Sequence, residues 1–330
     1  MSFTSFLKKL RPFSLMIAIF SGLLVFLMFH FIDALNPLKP AAYAVSKSLP
    51  YVLFAILFLA FIKIKFKEMK PRAWHLINVI FQVASCATIA LYIHYFDVVD
   101  DSLILLGLMV AFITPTAASA SVITGKLGGN ESTLTTYIML SNLAAAIFIP
   151  IIFPLVSKQD LPFIDEFLKI SFKVFPMIVF PLVTAIVIRV FFKKLHQFLL
   201  THTKDLGFYL WAFIIFVLSA QTFAYVAHAQ CSNQTLILMA LVSMICSICM
   251  FALGKLIGQF EKQRISSGQA LGQKNNLFGI WVAVSFLDPT TSILSGGLIL
   301  WQNVINAYQM WYRERLVNKS KAQGVEPYQE

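Results

Sequence analysis

The chain is 330 residues long, 58% hydrophobic and only 12% charged, with a mean hydropathy of +0.78. A water-soluble domain needs far more charge to cover its surface, so a soluble enzyme or soluble binding module is excluded. The net charge of +11 does not signal nucleic acid, because the basic residues sit in short clusters between apolar runs instead of on one continuous face.

In chain order, Lys8, Lys9 and Arg11 precede an apolar run from Phe13 to Phe31. A cleaved signal has a shorter apolar core and a small-residue cleavage site, so this run is expected to stay as a first membrane helix. Apolar runs of spanning length fall at 12–35, 48–64, 74–96, 103–124, 133–156, 164–192, 206–228, 235–257, 265–287 and 291–312, ten in all. An all-α, polytopic membrane protein is expected, with the lipid bilayer as its surroundings.

Alternate loops carry the Lys and Arg, as cytoplasmic loops do. One side holds Lys8, Lys9, Arg11, Lys63, Lys65, Lys67, Lys70, Arg72, Lys126, Arg189, Lys193, Lys194, Lys204, Lys255, Lys262, Arg264, Arg313, Arg315, Lys319 and Lys321, which is 20 of the 26 basic residues. The other side holds only Lys39, Lys47, Lys158 and Lys169, while Lys173 and Lys274 fall within spans. One helix more or fewer would scramble this alternation. Both termini are therefore expected in the cytoplasm, with the spans in an inner or plasma membrane. Lys173 is expected to snorkel from the outer end of helix six, where Asp165 and Lys169 are spaced to pair at the surface.

Enzyme chemistry finds no support. The histidines His30, His75, His94, His196, His202 and His228 lie near expected helix ends or loops, and none has metal-ligand spacing. Cys86, Cys231, Cys246 and Cys249 form no framework; the C-x-x-C of Cys246 and Cys249 lies inside a span without a second pair, and packing accounts for it. Gly125-Lys126 lacks the spacing of a phosphate loop. No cofactor is expected. No charged ring or filter motif points to a channel, and no residue pattern indicates an oligomeric state.

Ten spans divide into five and five. The expected organisation is a first repeat over 1–161, an inverted second repeat over 162–315 and a polar cytoplasmic tail over 316–330. The two most polar stretches within spans occupy matching places in the halves. One is Thr114-Pro-Thr-Ala-Ala-Ser-Ala-Ser121 with Thr124 and Gly125; the other is Ser266-Ser-Gly-Gln-Ala-Leu-Gly-Gln-Lys-Asn-Asn276 with Gly279. Both carry helix breakers. Freed backbone at membrane depth survives only where protein or water supplies partners, and paired interrupted helices point to a midplane binding site. The plain alternative is helix packing through small polar side chains.

These stretches resemble the bile acid:sodium symporter superfamily. Pro115-Thr-Ala-Ala-Ser-Ala-Ser121 is similar to its fourth-helix crossover, Gln269-Ala-Leu-Gly-Gln-Lys-Asn-Asn-Leu277 to its ninth-helix crossover, and Gly296-Gly-Leu-Ile-Leu-Trp-Gln-Asn303 to its tenth helix. Pro176 and Pro181 before Arg189 fit its sixth helix, and Gln82 stands where its third helix has a sodium-liganding Gln. The resemblance implies a panel of helices 1, 2, 6 and 7, and a core of helices 3–5 and 8–10 in which helices 4 and 9 cross at unwound centres. It implies substrate between panel and core, and alternating access. It also implies altered sodium sites. Gln269 replaces an acidic residue shared by both sites, Lys274 replaces an Asn, and in helix five Thr135 aligns with a liganding Ser but Met139 with its partner Thr. A hard cation wants several oxygens, carboxylate above all, so bound sodium is expected to be weak or absent.

Lys274 is the residue on which the reading turns. A lysine at the bilayer centre costs roughly 2.5–3.5 kcal/mol on insertion scales. No Asp or Glu lies near Lys274 in sequence: Asp33, Asp97, Asp100, Asp101, Asp160, Asp165, Glu166 and Asp288 fall at helix ends or loops on the outer side, and Glu68, Glu131, Asp205 and Glu261 belong to the cytoplasmic side. Three resolutions overlap. The amine is uncharged for part of the cycle, the substrate's carboxylate or sulfonate is its counter-ion, or the ammonium stands in for sodium against oxygens of Ser119, Ser121, Gln269 or Gln273. A fourth is a lysine that snorkels to one side. Half-helix N-termini at the crossing favour an anion as well. The expected substrate-binding set is Lys274, Asn275, Asn276, Thr116, Ser119, Asn142 and Asn303. The expected ion-coupling set is Lys274, Gln269, Gln273, Gln82, Ser121, Thr124 and Thr135. The function expected is sodium-independent or proton-coupled transport of a small organic anion. The rivals are a sodium-coupled symporter of the same family and a proton or cation antiporter on a related crossed-helix fold.

Overall fold

The computed structural model describes residues 14–64, 69–98, 102–157, 161–203, 206–229, 231–323 and 329–330. Of the charged residues placed above, Lys8, Lys9, Arg11, Lys65, Lys67, Glu68, Asp100, Asp101, Lys158, Asp160, Lys204 and Asp205 lie outside the described residues. Among the described residues the regular structure is helical: α1 (Ser14–Phe31), α2 (Lys39–Phe61), α3 (Ala73–Phe96), α4 (Leu103–Ile113), α5 (Ala120–Leu127), α6 (Glu131–Ile152), α7 (Phe163–Phe191), α8 (Lys193–His202), α9 (Leu206–His228), α10 (Asn233–Gln259), α11 (Arg264–Gly272), α12 (Asn276–Phe286) and α13 (Ser292–Ala322). Short 3-10 turns lie at Asp33–Leu38, Phe153–Val156 and Pro289–Thr291.

Among the described residues six helical segments are long and apolar enough to cross a membrane: Asp33–Phe61, Ala73–Phe96, Glu131–Val156, Phe163–Phe191, Leu206–His228 and Asn233–Gln259. Met16–Phe31, Leu103–Ile113 and Asn276–Phe286 are apolar but shorter. The protein is therefore an integral, multi-pass, all-helical membrane protein. α13 runs on to Ala322, so part of the stretch expected as a polar tail is helical. A helix satisfies its own backbone, so a polar sequence extends it past the apolar run as long as no breaker intervenes.

The chain forms two compact units, Met1–Lys63 with Phe180–Gln230, and Ile64–Val179 with Cys231–Glu330. In the first unit α1 meets α9 at Gly22, where a Cβ would run into the Phe216 carbonyl and Ser219. Phe192, at φ −120 and ψ 60, interrupts the helix between α7 and α8. A ring nitrogen of His196 lies 3.0 Å from the Ile62 carbonyl and ties α8 to the end of α2.

The second unit holds both interrupted helices. α10 lies backbone-close to α11 because Gly254 and Gly258, four apart, face the Ser267 and Gln263 carbonyls, where a Cβ on either glycine would collide. This is the small-residue spacing that lets membrane helices approach closely. Apolar packing around it gathers Ala111, Cys246, Met250, Leu271, Leu294 and Leu298. A second cluster joins Trp74, Ala120, Leu134, Tyr137, Ile138 and Ala270. Lys173 lies with its ammonium 5.5 Å over the Phe286 ring. His75, expected near a helix end, is indeed in the first turn of α3 but is buried, with its ring beside Trp74 and Tyr137.

Candidate crossed-helix site

The sequence breaks each helix for a local reason. Pro115 disfavours helical backbone at the residue before it; Thr114 is extended at ψ 127, and α4 stops at Ile113. α11 stops at Gly272, followed by Gln273 at φ −101 and ψ 84 and Asn275 at φ −78 and ψ 72. The two breaks satisfy each other. The Ala117 N–H donates to the Gln273 carbonyl at 2.9 Å and the Asn275 N–H donates to the Pro115 carbonyl at 2.7 Å. This pairs Thr116 and Lys274 as an isolated antiparallel bridge. Thr116 is fixed further, its N–H donating to Ser141 Oγ at 3.2 Å and its hydroxyl to the Ala270 carbonyl.

Lys274 sits at that junction and is only 2% exposed. Its Nζ donates to the Phe112 carbonyl at 3.0 Å and to Gln82 Oε1 at 3.4 Å. The expectation that it meets oxygens of Ser119, Ser121, Gln269 or Gln273 is corrected. The physical reason is the end of α4, whose last carbonyls have no donor one turn on and carry the negative end of the helix dipole. Gln82 serves the same end, its Nε2 donating to the Ile113 carbonyl at 2.9 Å, while its Oε1 also accepts from the Tyr137 hydroxyl at 3.3 Å. Among the described residues no carboxylate lies within ion-pair distance of Lys274.

The other expected residues divide. Gln273 Nε2 donates to Ser119 Oγ at 3.2 Å, so these two stay at the crossing. Asn275 caps α12, its Oδ1 accepting from the Phe278 N–H at 3.4 Å. Asn276 Nδ2 donates to Gln302 Oε1 at 3.0 Å. Gln269 is buried but turns to α13, its Nε2 donating to Asn306 Oδ1 at 3.0 Å and to Gln309 Oε1 at 3.4 Å. Thr124 is buried, and its hydroxyl has no partner among the described residues. Ser121, Thr135, Asn142 and Asn303 each donate to a carbonyl of Ala118, Glu131, Ile138 and Ile299 nearby in sequence. The hydrogen bonds do not tie these four to the crossing.

Sequence reasoning missed Tyr137, Ser141, Gln302, Asn306 and Gln309. The signal for three of them was present, since Gln302, Asn306 and Gln309 follow i, i+4, i+7 spacing and form one stripe of a helix. That stripe joins both halves of the broken helix, Gln302 reaching Asn276 beyond the break and Asn306 with Gln309 reaching Gln269 before it. Gln273 Oε1 and Gln269 Oε1 have no partner among the described residues, so the second broken helix keeps buried acceptors that a polar ligand or water would satisfy.

Spanning helices together with two interrupted ones joined at their breaks place this chain in the class of polytopic membrane transporters. The protein belongs to the SBF-like CPA transporter family, whose model matches residues 56–307, and so to the bile acid:sodium symporter type. The match takes in both interrupted helices and Lys274. Comparison with curated proteins finds no match.

Proposed function

We propose that this protein is a secondary active transporter of a small organic anion, working by alternating access without sodium. Ten spans, formed by two inverted five-helix repeats with both termini in the cytoplasm, are part of the proposal. The alternation of basic loops supports the orientation, and the placing of one interrupted helix in each half of the chain supports the repeat.

The single observation that carries the reading is Lys274, a buried ammonium at the junction of two broken helices with neutral oxygens as its partners. A cation seated there opposes binding of a second cation and leaves a carboxylate or sulfonate as the natural counter-charge. The N-terminus of α5 begins one residue after Ser119, which makes no side-chain cap, so its dipole also favours an anion. Gln269 brings an amide where an acidic ligand would serve sodium best. Release of the Lys274 proton supplies the coupling that sodium otherwise provides.

The test is uptake of a panel of radiolabelled carboxylates and sulfonates into liposomes, with sodium and pH gradients imposed separately. Uptake is expected to follow the pH gradient, to ignore sodium and to vanish in Lys274→Asn. Sodium-driven uptake would overturn the coupling and favour a sodium symporter. Proton flux without any organic solute would favour an antiporter.

A further inference from the structure

α11 begins without a cap of its own. Its N-cap, Gln263, makes no side-chain cap hydrogen bond, because Gln263 Oε1 instead accepts from the Thr133 hydroxyl at 2.7 Å. The first amides of a helix have no acceptor within it and carry the positive end of the dipole. Here a carboxylate far along the chain supplies the acceptors. Glu330 Oε1 accepts from the Ile265 N–H. Glu330 Oε2 accepts from the Ser266 N–H at 3.0 Å and from the Ser266 hydroxyl at 2.8 Å. The Glu330 N–H donates to the Gly128 carbonyl at 2.9 Å.

The same spot touches the other broken helix. Gly128, in the left-handed region at φ 87, ends α5, and at Gly129 a Cβ would crowd Thr124, Ile265 and Ser266. Ser266 Oγ also accepts from the Asn130 N–H at 2.8 Å. One residue therefore bridges the end of the first broken helix, through its backbone N–H, and the start of the second, through its carboxylate, at the ends remote from their breaks.

We propose that Ile265 and Ser266 form a carboxylate-binding site that the Glu330 side chain fills as a tethered ligand, and that with its backbone N–H held by the Gly128 carbonyl Glu330 latches the two broken helices together away from the crossing. The site is separate from Lys274 and does not depend on the transport reading. Its ligand class is a small carboxylate, since three donors converge on two oxygens of one planar group. A free carboxylate and Glu330 exclude each other there.

The test reads amide hydrogen exchange across residues 264–267 and 129 of the full chain in detergent micelles. Glu330→Ala is expected to speed exchange at Ile265 and Ser266 by about tenfold or more. Acetate is expected to restore the protection in that variant, while chloride at matched concentration does not. Adding Ser266→Ala to Glu330→Ala is expected to abolish the rescue. Unchanged exchange in Glu330→Ala overturns the latch. Faster exchange that acetate does not slow overturns the carboxylate site, and rescue by chloride as well as acetate overturns its selectivity.

Discussion

Lys274 Nζ donates to the Phe112 carbonyl at 3.0 Å, so the side chain of one broken helix closes the C-terminal end of the other. The ammonium thus offsets two costs at once. It neutralises part of a helix dipole and gives an orphan carbonyl a donor inside an apolar fold.

The charge at this place is separable from the hydrogen bond. Lys274→Gln keeps a donor within reach of the end of α4 and removes the cation. Its thermal stability in detergent is expected to stay within about 1 kcal/mol of wild type, while organic-anion uptake falls by about tenfold or more. Equal uptake by this variant would show that the ammonium does not hold the substrate.

Gln82 offers the converse experiment. Gln82→Glu places a carboxylate beside Lys274, 3.4 Å from Nζ in the present geometry. The internal ion pair is expected to satisfy Lys274 and weaken anion binding by about tenfold, read by ligand-induced thermal shift. Gln82→Leu instead strips the Ile113 carbonyl and the Tyr137 hydroxyl of a partner. It is expected to destabilise the fold by roughly 1–3 kcal/mol.

Sodium dependence should need two changes. Gln269→Glu alone leaves Lys274 in place and disturbs the contacts with Asn306 and Gln309, so uptake is expected to remain sodium-independent. Gln269→Glu combined with Lys274→Asn removes the cation and adds a carboxylate. Only the double variant is expected to gain sodium-stimulated uptake, measured in liposomes at fixed pH.

The close packing of α10 on α11 gives a prediction about stability alone. Gly258→Ala puts a methyl against the Gln263 carbonyl, and Gly254→Ala puts one against Ser267. Each backbone neighbour is rigid, so a loss of roughly 1–3 kcal/mol is expected, seen as a lower unfolding temperature in detergent. An unshifted transition for both would mean that the helices separate easily.

Much of the fold was legible because membrane solvent imposes simple rules. Apolar length placed the helices, and Pro115 with the Gly and Asn residues around Lys274 placed the two breaks, since each acts on its own backbone. Thr135 and Asn303 were less legible. Their types suited a site, but a hydroxyl or amide on a helix readily bonds the carbonyl one turn back, and both do so. Composition cannot tell that outcome from a ligand contact.

The sequence by itself determined that the chain lives in a membrane, that two of its helices are broken, and that one buried lysine accompanies the second break. Tertiary structure alone decided what that lysine touches. Its partners lie 162 and 192 positions away, and one of them is a backbone carbonyl. Every residue has such a carbonyl, and only the ending of a helix beside the lysine turns this one into a site.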